Sequence, residues 1–175
     1  MAWLEGLKAR GFDAVVYLAP PAVSDAVRDE PLIVARQGLV FVNLPLAFDH
    51  PTRVDYATFA GIMRGLCGHR VLVHGQINLR ASSMAFLCRA IDRREDPQRA
   101  YEAVTSVWAP EGAWKSFIVG ELKRNGIAFD PYQPAPASCT RCTRARAPCD
   151  TSGFQATEGR APWTRKPSIS ASASF

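Results

Sequence analysis

The sequence predicts an α/β domain, a central and mostly parallel sheet flanked by helices, followed by a tail of different character. Three observations predict it. The segments "DAVVYLA" (13–19), "LVFVNLPL" (39–46) and "RVLVH" (70–74) are apolar along their length, as strands covered on both faces are. Segments of helical period alternate with them. From about residue 133 all periodicity is lost in a composition of Ala, Pro, Ser, Thr and Arg.

Taken in order, Trp3, Leu4 and Leu7 form a short helical stripe that Gly11 ends. The first strand follows. Residues 31–37 have helical spacing, Gly38 closes that helix, and the second strand begins at Leu39. After the loop "AFDHPT", Thr52 and Asp55 form a capping-box-like start, with Asp in place of the usual Glu. Phe59, Ile62, Met63 and Leu66 then share one face, before the third strand. Met84, Leu87, Cys88 and Ile91 make the apolar face of the next helix. Asp96-Pro97 is an N-cap and N1 pair that opens another, with Ala100, Ala103, Val104 and Val107 inward. A last helix is expected from about Gly112, with Trp114, Phe117, Ile118 and Leu122 inward, until Asn125-Gly126 stops it.

A length of 175 residues allows one compact domain, expected at residues 1–130. Residues 131–175 are basic and rich in Pro, Ala and Ser, too polar to offset their ordering entropy, and are expected to be disordered. The charge divides accordingly. Residues 1–130 hold 15 Lys and Arg against 14 Asp and Glu, and the remainder hold six against two. The basic character therefore belongs to the tail, and it argues little for nucleic-acid binding by the domain. No apolar run approaches a membrane span. The start "MAWLEGLKARGF" has no apolar signal core, so a cytoplasmic protein is expected. Five cysteines, an odd count, argue against a disulfide framework.

The chemistry is concentrated in "RVLVHGQINLRASS" (70–83), a strand, a tight loop and an arginine at the mouth of a helix. Loop amides and a helix N-terminus attract anions, and Arg80 can grip two phosphate oxygens with its planar fork. Gln76, Ile77, Asn78 and Leu79 would supply the amides. Spacing alone leaves a second reading open, an ordinary strand-to-helix turn with a surface arginine.

The segment "VLVHGQINLRASS" resembles the signature of the protein tyrosine and dual-specificity phosphatase superfamily. It is most similar to the small bacterial branch, whose cysteine and arginine are separated by four residues in a pattern near His-Cys-Gln-x-Asn-x-Arg-Ala-Ser. His74, Gln76, Asn78, Arg80, Ala81 and Ser82 match that pattern. The likeness extends over about residues 3–128, including "LKARGFDAVVYLAPP", "GLVFVNLPL" and "VWAPEGAWKSF" around Trp108 and Trp114. It implies the cysteine-phosphatase fold and a mechanism with no cofactor and no metal. A cysteine thiolate attacks phosphorus to form a phosphocysteine, the arginine holds the transferring group, and an aspartate protonates the leaving oxygen. Asp49 is the candidate acid, and Asp55 its rival, better suited to capping. Ser82 resembles the hydroxyl that assists thiolate departure, and His74 is a candidate to orient the loop. Relatives usually carry an earlier strand and loop, so the resemblance also implies a sheet short of one edge strand.

Position 75, where the nucleophile is expected, is glycine. The covalent mechanism cannot run without it. Ser82 and Ser83 lie beyond Arg80 on the helix, Cys67 precedes the strand, and Cys88 falls on an apolar helix face, so none substitutes. The phosphate-binding set of Gly75, Gln76, Ile77, Asn78, Leu79, Arg80 and Ser82 remains. The expectation is a loop that binds phosphate, or a phosphorylated small molecule or protein, with negligible turnover. A rival reading is a non-enzymatic module that sequesters phospho-ligands or docks a partner. A third places metal or nucleic-acid binding in the tail, at Cys139-x2-Cys142 with Cys149 and interleaved arginines. It supplies three of the four ligands a zinc site generally needs.

Overall fold

The computed structural model describes residues 3–23 and 26–132, with the backbone of residues 173–174. Most of the tail expected to be disordered, and the cysteines Cys139, Cys142 and Cys149, lie outside the described residues.

Three strands form a parallel sheet: β1 (Ala14–Tyr17), β2 (Val40–Asn43) and β3 (Val71–His74). β1 is central, with Ala14 paired to both Val40 and Val71, and Tyr17 to both Asn43 and His74. On the far side of β3, a two-residue strand β4 (Ala173–Ser174) pairs antiparallel with Leu72 and Val73. The far side of β3 is therefore occupied by a segment from the end of the chain.

The helices are α1 (Glu30–Arg36), α2 (Arg53–Gly65), α3 (Leu79–Leu87), α4 (Pro97–Thr105) and α5 (Gly112–Arg124). All five lie where the sequence periodicity placed them, to within a few residues. The amino-terminal stripe is two 3-10 turns, Leu4–Gly6 and Lys8–Arg10, rather than one helix. Gly11 ends them with φ of 82°, a left-handed conformation that a side chain would oppose. The helix expected to run on through Ile91 instead passes at Cys88 into a π turn, Cys88–Asp92.

Caps set the boundaries. Thr52 and Asp55 form a complete capping box, the Thr52 amide donating to Asp55 at 2.8 Å and the Asp55 amide to Thr52 at 3.2 Å. The Asp96 carboxylate accepts from the Arg99 amide at 2.9 Å. Gly126, at φ of 70°, follows the end of α5.

Alternation along the strands divides the core into two layers. Ala14, Val16, Val71 and Val73 face α2–α5, against Phe59, Phe86, Trp114, Ile118 and Leu122. Val15 and Leu72 face the other way, onto Leu7, Phe12, Val34 and Leu39. β1 is buried throughout. β2, at the sheet's edge, is not, and its Val40 is half exposed, because an edge strand has a neighbour on one side only.

Chain order also positions the site. From β1 the chain crosses by α1 to β2 on one side, then by α2 back past β1 to β3 on the other. Because the two connections run in opposite directions across the sheet, a crevice opens at the carboxyl ends of β1 and β3. The loop that follows His74 lies there.

Candidate functional site

The loop Gly75–Asn78 joins β3 to α3, so Arg80 is the second residue of that helix. Asn78 makes the turn. Its φ of 60° is left-handed, a conformation asparagine tolerates better than most residues. It stands at the N-cap of α3, yet its side chain does not cap the helix. Its Oδ1 instead accepts the Gly75 amide at 2.9 Å. The leading amides of α3 are thus left without a side-chain cap, at the positive end of the helix.

Gln76, Ile77, Leu79 and Arg80 line a shallow cavity of about 250 Å³, closed on another side by Phe48. The Arg80 guanidinium carbon lies 5.2 Å from the centre of the Phe48 ring. Its Nε is shielded from solvent and has no hydrogen-bond partner among the described residues. Burial lowers the Arg80 pKa, while the nearby Tyr17 opposes the shift. Arginine remains a cation under such perturbation, so a partly desolvated charge borders the cavity.

Phe48 is held in turn. Its carbonyl accepts Trp114 Nε1–H at 2.7 Å, and its ring packs near Trp108 and Trp114, with centroids 5.9 and 6.2 Å away. Trp114 is buried in the core, as its helical position led one to expect, and it also fastens the loop that carries Asp49.

Asp49 is exposed, and it is Phe48 rather than Asp49 that borders the cavity. Asp55 is fully engaged in the capping box, its carboxylate also accepting the Thr52 hydroxyl at 2.7 Å. Ser82 is buried and donates to the Leu79 carbonyl at 3.1 Å, a bond within the first turn of α3. Cys67 is exposed and Cys88 buried, and burial, followed by the charge of Asp92, pushes the Cys88 thiol up to about 11. A thiol so protected from ionisation makes a poor nucleophile.

Behind the loop, His74 Nε2 approaches Glu30 Oε1 to 2.7 Å, with both side chains largely buried. The contact is off the ideal hydrogen-bond angle and is an ion-pair contact in geometry; neither atom has a hydrogen-bond partner elsewhere among the described residues. The His74 ring also lies 5.0 Å from that of Tyr17.

Phe48, Glu30 and Tyr17 were not legible as site residues in the sequence. Phe48 adjoins Asp49, which is a weak signal. Glu30 reads there as an ordinary acidic residue in a first helical turn, and Tyr17 as a strand residue. Among the described residues, no group of three His, Cys, Asp or Glu side chains could hold a metal, and no helix is long and apolar enough to cross a membrane.

No protein-family model matches the chain, and neither does any curated protein. Solved structures do. A DUF442 protein from Shewanella putrefaciens CN-32, assigned as a phosphatase, shares 26% identity at a TM-score of 0.65, over 71% of this chain and 82% of its own. Tk-PTP in its active form matches at 20% identity and a TM-score of 0.54, over 70% and 85% of the two chains. A protein assigned as a tyrosine phosphatase from Leishmania major matches at 15% and 0.52, over 67% and 77%. The parallel sheet, the loop after β3 and these likenesses agree: the chain has the protein tyrosine phosphatase-like fold.

Proposed function

We propose that this phosphatase-like protein binds phosphate, or a phosphorylated ligand, at residues 74–82 and does not turn it over. The observation that carries the reading is at Gly75. A Cβ built there would meet nothing within 4 Å, and the residue is not in the left-handed region, so the loop has room for the side chain the reaction needs. The surrounding donors support binding. Arg80 borders the cavity as a partly desolvated cation, and the N-terminus of α3 carries no side-chain cap. A glycine also removes the negative charge that a thiolate would hold against a phosphate oxygen, which favours binding.

In a nucleophile-restored form, the thiolate would displace the leaving oxygen from phosphorus while Arg80 held the phosphoryl oxygens. Asp49 would pass its proton to the departing oxygen, and water would then release phosphate from the phosphocysteine. Asp49 reaches the cavity only if its loop closes over the ligand, with Phe48 as the fixed point.

The test pairs the protein with its Gly75→Cys form on an aryl phosphate, with thermal shifts in phosphate or tungstate. We expect negligible hydrolysis by the first, clear hydrolysis by the second, and anion stabilisation of both that Arg80→Ala removes. Hydrolysis by the unmodified chain, abolished by Arg80→Ala, would overturn the reading. If Gly75→Cys is inactive while phosphate still binds, a non-enzymatic module for phosphorylated partners becomes the better description.

A further inference from the structure

Glu30 opens α1, where acidic side chains ordinarily face water, yet it is 4% exposed. The other buried acid among the described residues, Glu121, is matched by Arg124 at 2.6 Å. Glu30 has His74 instead, at 2.7 Å. Glu30 Oε1 and His74 Nε2 have no hydrogen-bond partner elsewhere among the described residues, and buried polar atoms of this kind are strongly disfavoured alone and compensated together.

The place of this pair matters. His74 is the last residue of β3, and the phosphate loop begins at the next residue. The His74 carbonyl accepts the Leu18 amide at 2.9 Å, its ring lies against Tyr17, and its Nε2 meets Glu30. β1 and α1 therefore both converge on the residue from which the loop departs. Gly75 has no side chain and open space around it, so it adds no packing of its own. The junction is then fixed by the Asn78 side chain, which accepts the Gly75 amide, and by the His74 ring, which meets Tyr17 on one side and Glu30 at Nε2.

We propose that Glu30 is a positioning residue for the phosphate loop, acting through His74; this rests on the reading that residues 74–82 bind phosphate. Without the carboxylate, His74 Nε2 is left buried and unmatched. The ring then reorients, the junction at Gly75 loosens, and the loop and Arg80 meet an anion less well organised.

The experiment measures tungstate affinity by calorimetry on the full chain, with folding checked by thermal unfolding. Glu30→Met fills the same volume without an acceptor, and Glu30→Gln keeps an acceptor at the same reach. The expected result is a loss of about three- to tenfold for Glu30→Met, the effect of leaving one buried polar atom without its partner. Glu30→Gln should stay within about twofold of the unmodified protein. In a His74→Ala background, Glu30→Met should cost nothing further, because its route of action is gone. Glu30→Leu replaces Glu30→Met if the latter does not fold, with the same loss expected. Unchanged affinity in folded Glu30→Met, an equal loss in Glu30→Gln, or full additivity with His74→Ala overturns the proposal. The underlying reading fails separately, if the unmodified chain does not bind tungstate or if Arg80→Ala leaves binding unchanged.

Discussion

The Arg80 guanidinium stands over the Phe48 ring, 5.2 Å from its centre, so the arginine of the candidate site rests on the loop that carries Asp49. The two residues follow different strands of the sheet, Phe48 after β2 and Arg80 after β3, and Trp114 holds Phe48 through its carbonyl. The ring face supports the cation electrostatically and limits where its fork can point.

Phe48→Ala should therefore weaken oxyanion binding while the domain stays folded. A cation–π contact at a partly exposed site is worth about 0.5–1 kcal/mol, which is roughly a two- to fivefold loss of affinity. Calorimetry with tungstate measures it, and an unchanged affinity would show that Arg80 does not need the ring.

Trp114→Phe keeps an aromatic ring in the core but removes the N–H that Phe48 accepts. The expected cost is about 1 kcal/mol of stability, or a few degrees in Tm for a domain of this size. In the Gly75→Cys background it should also lower kcat, because the loop proposed to carry the acid, Asp49, loses its fixed point. A stability loss with kcat unchanged would separate the two roles and remove Trp114 from the site.

The two aspartates after β2 should behave differently in the Gly75→Cys background. Asp49→Asn should lower kcat by about 10²- to 10⁴-fold on substrates with poor leaving groups. Asp55→Ala should leave kcat near the parent value and reduce stability by about 1 kcal/mol through loss of the capping box. The reverse pattern in the rate measurements would transfer the acid role to Asp55.

Cys88 makes stability depend on alkaline pH. Its folded pKa is raised from the ordinary 9.0 to about 11 by burial. The unfolded chain therefore releases this proton first, and the contribution is complete below pH 9 and lost as pH rises through 11. The size is on the order of 2–3 kcal/mol. Urea unfolding of Cys88→Ala between those limits should show a shallower decline than the unmodified protein. Equal slopes would mean that Cys88 ionises as readily in the fold as outside it.

Much of the fold was legible in the sequence, because its signals are local. The apolar segments 13–19 and 70–74 marked two strands, the Thr52/Asp55 and Asp96-Pro97 pairs marked helix starts, and Asn125-Gly126 marked an end. Each depends on hydrogen bonds or backbone preferences within a few residues. The loop after β3 was legible for the same reason, since strand, turn and Arg80 are contiguous. Where neighbours in space decide, local patterns were silent. The exposure of Val40 follows from β2 lying at the edge, and the order β2-β1-β3 is a property of crossovers.

The sequence by itself thus determined most of the elements and the run of strand, turn and helix that carries Gly75 and Arg80. Tertiary structure alone decided which residues surround that loop. Phe48 reaches Arg80, Trp114 reaches Phe48, and Glu30 reaches His74, across separations of 32, 66 and 44 positions in the chain. Such contacts form because sheet order and core packing bring distant segments together, and no local pattern of residues encodes them.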